Sequence, residues 1–98
     1  MPSEPFFIDY AQAALDDLKS LAAIDRKKIT DGIYVHLRHE PTKVSRSRIK
    51  EMAQPFWSQY RLRIDEFRVY YDVNVELLAI NVLRVLKKTT EQTLEDSP

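Results

Sequence analysis

The sequence contains no cysteine and a single glycine, Gly32. Without thiols, neither a disulfide framework nor a thiolate metal site can form. No apolar run approaches the roughly 20 residues of a membrane-spanning helix. The opening Met1-Pro2-Ser3-Glu4-Pro5 lacks the positive start and apolar core of a secretory signal. A cytoplasmic protein without membrane contact is the expectation. Net charge is also lacking, because 15 Lys and Arg balance 15 Asp and Glu. Internal repeats and low-complexity tracts are absent as well.

What is present is an uneven distribution of charge. Residues 1–18 hold four acids and no base, and the last ten hold three acids and no base. Between Lys43 and Arg68 stand seven bases (Lys43, Arg46, Arg48, Lys50, Arg61, Arg63 and Arg68) against three acids. The chain thus has a basic centre and acidic ends. Its 98 residues suffice for one domain with a modest core. Residues 5–88 are expected to form it, with 89–98 as a polar tail.

The clearest pattern lies in that basic centre. Tyr60 to Ile64 and Phe67 to Val73 alternate apolar and polar residues, rich in aromatic and β-branched types, as two strands do. Asp65-Glu66 stands where a two-residue turn belongs. Alternation puts Leu62, Ile64, Phe67, Val69 and Tyr71 in one core layer. Arg61, Arg63, Arg68 and Tyr70 then share the opposite, open face. Leu77 to Leu86 is nearly continuous apolar, as a central strand would be; Arg84 falls on its open face, and Lys87 and Lys88 close it.

Upstream, Phe6 to Ile8 reads as a short strand, with Asp9 available to cap a helix. Ala11, Ala14, Leu15, Leu18, Leu21 and Ala22 make one apolar helix face. Asp25 could cap a second helix, with Ile29, Ile33, His36 and Leu37 on one side, ended by Pro41. Gly32 inside it costs about 1 kcal/mol against alanine, which close approach of the two helices would explain. Residues 42–57 show no period. This long loop carries Arg46, Arg48 and Lys50 and then Pro55-Phe56-Trp57, and loops of such length are usually functional or mobile. The expected architecture is α+β: an N-terminal helix hairpin packed on a small antiparallel sheet of about four strands.

With Tyr60-Arg-Leu-Arg-Ile64, Phe67-Arg-Val-Tyr-Tyr-Asp-Val73 and Val82-Leu-Arg-Val-Leu-Lys-Lys88 as strands, and Ala13-Ala-Leu-Asp-Asp-Leu-Lys19 in the first helix, the chain resembles the RelE/ParE superfamily of toxins. The resemblance spans roughly residues 6–88. It implies the toxin of a type II toxin–antitoxin pair, silenced by a partner antitoxin protein. The RelE branch cuts messenger RNA in the ribosomal A site, without metal or small-molecule cofactor; the ParE branch poisons gyrase. Residue by residue, Arg61 and Arg63 match two strand lysines of the RelE cutting surface, Arg68 the arginine after the turn, and Lys88 a basic residue after the last strand, with Lys87 beside it. Leu94 stands near the position of that family's C-terminal tyrosine, and Asp65 and Leu86 replace its usual glycines.

The implied function is therefore a ribosome-dependent mRNA endoribonuclease that inhibits translation. Arg61, Arg63, Arg68 and Lys88 are the candidate catalytic residues; Arg46, Arg48, Lys50, Tyr70, Arg84 and Lys87 are candidate RNA contacts. The alternatives are a gyrase inhibitor without chemistry of its own, or a homologue that has lost catalysis and only binds antitoxin. RNA cleavage by 2′-hydroxyl attack needs a base, an acid and charge stabilisation at phosphorus. Guanidinium forks suit phosphate but hold their protons too tightly for acid–base work. Tyr70, Lys87, Lys88, His36 and His39 are left as proton carriers. Against these readings, the arginines could be an ordinary solvated sheet face. His36 and His39 are three apart, a spacing that could bind a metal, but no third ligand is visible; a packing or capping role fits them better. Phe56 and Trp57 fit either stacking on a base or, more commonly, anchoring a loop.

Overall fold

The computed structural model describes residues 4–88. In order they form β1 (Phe7–Tyr10), α1 (Gln12–Lys19), α2 (Ala23–Leu37), β2 (Ile49–Glu51), β3 (Tyr60–Ile64), β4 (Phe67–Asn74) and β5 (Ala79–Lys87). The strands make one sheet in the order β1-β5-β4-β3-β2. β1 runs parallel to β5, from Phe7 opposite Ala79 to Tyr10 opposite Val82, and every other pair is antiparallel. The α+β class and the meander over β3, β4 and β5 are as the period-two pattern predicts. The sheet has five strands rather than about four, and it is mixed rather than purely antiparallel. β2 is the addition: three residues inside the long basic segment, too few to show a period. The predicted polar tail, including Leu94, lies outside the described residues. Neither helix among the described residues is long and apolar enough to cross a membrane.

Both helices lie on one face of the sheet. The core joins Ala14 and Leu18 of α1 and Ile29, Ile33 and Leu37 of α2 to Ile49, Leu62, Ile64, Phe67, Val69, Tyr71, Ile80, Val82 and Val85. Each buried Val, Leu, Ile or Phe side chain contributes about 1.5–3 kcal/mol by leaving water. The helix caps differ from expectation. Asp9 belongs to β1 and Asp25 sits within the first turn of α2, while Ala11 and Ala22 occupy the cap positions without side-chain bonds. The apolar stripe is also interrupted: α1 ends at Lys19, before Leu21 and Ala22, and both Leu15 and Ala22 are exposed. Arg26 compensates there, its Nη1 donating to the carbonyls of Leu18 and Leu21 at 3.2 Å each. Leu18 belongs to the last turn of α1, whose carbonyls lack intrahelical partners.

Gly32 is explained by a strand and not by the other helix. A Cβ there would meet Ile64 Cδ1 at 2.7 Å and Cγ1 at 3.3 Å. Missing the side chain lets α2 settle onto β3. Tyr71 fastens the chain beyond α2, since its hydroxyl donates to the Pro41 carbonyl at 2.6 Å. Burial and the neighbouring Tyr60 push that phenol well above its usual range, so it stays a donor.

β5 carries the irregularity that locks α1 to the sheet. Tyr70 pairs with Arg84 but Tyr71 pairs with Val82, leaving Leu83 without an opposite residue. Such a bulge restores phase, so that Val82 and Val85 both face the core. β1 has already left the edge at this point, with Ala11 N donating to the Val82 carbonyl. Asp17 takes its place: one oxygen accepts from Arg84 Nη2 at 2.9 Å, the other from Arg84 Nε at 2.8 Å and Val85 N at 2.9 Å. Burial alone would raise the Asp17 pKa. The Arg84 hydrogen bond, the Val85 amide and the Arg84 charge outweigh it, and the carboxyl titrates below its ordinary value.

Replacing Asp17 by alanine should cost about 2 kcal/mol, since it strips a charged pair and an edge amide of their acceptor. Because the folded pKa is lowered, this stabilisation is complete above the unfolded value near ~3.9 and is lost as pH falls through the folded value. Thermal melts of wild type and Asp17→Ala should therefore differ constantly near neutrality and converge in acid. A difference that persists unchanged below both values would refute the carboxylate's role.

Candidate nucleic-acid interface

The sheet face away from the helices is built by the same alternation that builds the core. Lys50 of β2 lies opposite Arg61 of β3, Arg61 opposite Tyr70 of β4, and Tyr70 opposite Arg84 of β5. One step along, Arg63 lies opposite Arg68, and Arg68 opposite Leu86. Two of these cross-strand pairs, Lys50–Arg61 and Arg63–Arg68, join like charges. Direct opposition of like charges destabilises a ladder by roughly 0.2–1 kcal/mol per pair.

The segment before β2 is ordered by a serine. Ser45 Oγ accepts from the amides of Arg48 and Ile49 at 3.1 Å each, and Ser45 N donates to the Ile49 carbonyl at 2.9 Å. Arg48 extends the ladder past the strand: its carbonyl accepts from Arg63 N at 2.8 Å, and its Nη1 donates to the Arg63 carbonyl at 3.2 Å. A cleft of about 140 Å³ opens between this segment and β3, lined by Arg46, Arg48, Lys50, Arg61 and Arg63. No acidic side chain among the described residues lines it. Beside it, a second depression bordered by Ser47, Arg48 and Arg63 ends at Asp65. The Asp65 carboxylate lies 3.1 Å from Lys28 Nζ.

Five of the ten candidate residues therefore converge on one cleft, and five do not. Arg68 is not exposed as expected: it is 3% accessible, and its Nη1 donates to the carbonyls of Asp65 and Phe67 at 3.1 Å each. Tyr70 is fully buried, its ring 4.7 Å from that of Trp57 and 6.0 Å from that of Phe56. Arg84 is held by Asp17. Lys87 pairs with Glu66 at 3.3 Å. Lys88 is exposed at the end of β5, where its amide donates to the Glu66 carbonyl at 2.6 Å. Alternation assigns a face correctly but says nothing of what covers that face.

Two more placements bear on chemistry. His36, on α2, has its pKa lowered by burial and by the charge of Arg48. Among the described residues, no three His, Asp or Glu side chains gather as a metal site. Ser45 escaped the sequence reading, although a serine three residues before an amide it caps is a recognisable turn signal.

No protein-family model matches this chain, and no curated protein sequence does either. Solved structures do match. The RelBE2 toxin–antitoxin complex from Mycobacterium tuberculosis contains a chain with TM-score 0.75 and 20% identity, covering 86% of this chain and 92% of that one. The archaeal RelE–RelB complex from Pyrococcus horikoshii gives TM-score 0.68 and 18% identity over 87% and 97% of the two chains. A double arginine-to-alanine mutant of the Escherichia coli RelE toxin in its free state gives 0.67 and 19% over 93% of each. Two helices on one face of a five-stranded mixed sheet, in this order and over nearly the full length of those chains, give this protein the fold of the RelE toxins.

Proposed function

We propose that this chain is the toxin of a type II toxin–antitoxin pair, and that its substrate is messenger RNA on the translating ribosome. The convergence of Arg46, Arg48, Lys50, Arg61 and Arg63 on one cleft carries this reading. Placing like charges opposite one another costs stability, and an anion laid along the cleft turns that cost into attraction. The RNA backbone offers such an anion at every nucleotide, and arginine forks match phosphate geometry. The RelE fold supports the assignment, since the relatives of that fold are toxins solved with RelB antitoxins.

Cleavage would proceed by attack of a 2′-hydroxyl on the adjacent phosphorus. The 2′-oxygen–phosphorus bond forms, the bond from phosphorus to the 5′-oxygen breaks, and a 2′,3′-cyclic phosphate and a 5′-hydroxyl result. One proton passes from the 2′-hydroxyl to a base, and another from an acid to the leaving oxygen. Arg61 and Arg63 stabilise the charge that builds on the phosphate, and Arg68 adds its charge from within the sheet beside Arg63. His36 and His39 are the remaining candidates for the base; His36 lies on α2 and does not line the cleft, though burial and the Arg48 charge lower its pKa. Lys88 remains the candidate acid, from the end of β5. The antitoxin would be an acidic protein segment laid over this basic face.

Induced expression should stop translation while leaving DNA supercoiling intact, and co-expression of a neighbouring antitoxin frame should restore growth. Lost supercoiling with translation intact would favour a gyrase inhibitor instead.

The arginines should separate by burial. Arg63→Ala should lower cleavage roughly tenfold to hundredfold, the worth of one charge-assisted bond, with a melting temperature unchanged or slightly raised, since it removes one like-charge pair. Arg63→Lys should recover only part of it, keeping charge without the fork. Arg68→Ala should instead melt earlier, because its buried guanidinium bridges the carbonyls of Asp65 and Phe67. Full toxicity in a folded Arg61→Ala, Arg63→Ala double variant would sink the phosphate cleft.

A further inference from the structure

The connection from β2 to β3 is a braced loop that folds back over the basic face. Met52 N donates to the Gln59 carbonyl at 2.8 Å, and Gln54 Nε2 donates to the carbonyls of Met52 and Ser58 at 3.3 and 3.2 Å. Ser58 is buried, and its hydroxyl donates to the Tyr60 carbonyl at 3.2 Å. This brace presents Phe56 and Trp57 as a stacked pair, centroids 4.8 Å apart and planes inclined by 28°. The Trp57 ring also lies 4.7 Å from that of Tyr70. Tyr70 stands opposite Arg61, which lines the basic cleft, and paired strands are ~4.8 Å apart. The indole and the cleft are therefore neighbours on one face.

A plug for Tyr70 accounts for half of this arrangement. Tyr70 is wholly buried, yet Trp57 remains 47% exposed. Phe56 and Tyr70 hold part of the indole while the rest meets solvent beside a row of cations. We infer that Trp57 is a stacking platform for an unpaired nucleobase of the RNA whose phosphates the cleft holds; this rests on the RNA reading proposed above. Stacking needs a flat π-face and tolerates any base. A ring already fixed by its neighbours loses little freedom on binding. Phosphate contacts alone fix the backbone but not the base, and an aromatic surface one strand from Arg61 supplies the second anchor. It would set which nucleotide comes to rest over the cleft.

Trp57 is the only tryptophan in the chain, so fluorescence excited beyond the tyrosine absorption band reports on this ring alone. The probes are a short single-stranded RNA with 2′-O-methyl sugars, which cannot be cut, and inorganic polyphosphate, which has no bases. RNA should quench the fluorescence, and polyphosphate should bind without quenching it. Trp57→Leu keeps an apolar plug but has no π-face. It should weaken RNA binding roughly tenfold while leaving polyphosphate binding and the melting temperature unchanged, and Trp57→Phe should retain most of the affinity. RNA that binds without quenching overturns the inference, as does a leucine variant that binds RNA as tightly as wild type, or a phenylalanine variant no better than leucine. So does a leucine variant that melts early and loses both ligands, since Trp57 is then only structural. RNA that fails to bind where polyphosphate does has the same consequence. If neither ligand binds the wild type, the phosphate cleft itself falls, and the stacking platform with it.

Discussion

Register in the β3–β4 hairpin decides where the charges of this molecule come to lie. Side chains alternate with a period of two, so a slip of one residue would exchange the faces completely. Arg61, Arg63 and Arg68 would then point into the helices, and Leu62, Ile64 and Val69 into water. The turn that prevents this is held by Asp65, a non-glycine residue in the left-handed region with φ 52°. Aspartate tolerates that conformation better than most residues. Ile64 opposite Phe67 closes the two-residue loop, and core packing of Leu62 against Val69 agrees with it. Local turn chemistry and burial thus select one register, the consistency expected of a sequence that specifies a single fold.

From that register follows a division of labour among the arginines. Arg63 serves the cleft, Arg84 serves α1 through Asp17, and Arg68 serves the turn through two carbonyls. Guanidinium suits all three tasks because it carries several donors in a fixed plane and never loses its charge. A lysine could bridge none of these geometries equally. The basic centre of the chain is therefore part scaffold and part site.

Much of the fold could be read from the residues. The hairpin announced itself because five core positions and three arginines alternate from Arg61 to Tyr71 on the two sides of the Asp65-Glu66 turn, and the helices showed their stripes through Ala14, Leu18, Ile29, Ile33 and Leu37. Other features depend on tertiary contacts that no local pattern records. β2 is only three residues, and one buried isoleucine cannot reveal a period. The bulge at Leu83 sits inside a uniformly apolar run, where phase is invisible. Asp17 and Arg84 are far apart in the chain, so their pairing leaves no sequence signal. Of the site, Arg61 and Arg63 were legible as one face. The burial of Tyr70 was not, because a loop with no period of its own, bearing Phe56 and Trp57, packs against it, and neither was that of Arg68, whose bonds to the turn carbonyls leave no periodic signal.

The strand order has a consequence for how the molecule is made. β5 is the last of the described strands to be synthesised, yet it lies inside the sheet, between β1 and β4. During synthesis β1 has no partner until β5 emerges, and the bulged segment that receives Asp17 arrives at the same moment. Long-range pairing of this kind is slow, because loop closure must precede its reward. A nascent chain halted before Ala79 would leave β1 unpaired, the β4 edge open and α1 unanchored, a form that proteases and chaperones recognise. Premature termination thus leaves an incomplete sheet, and the strand order ties completion of the fold to translation through β5.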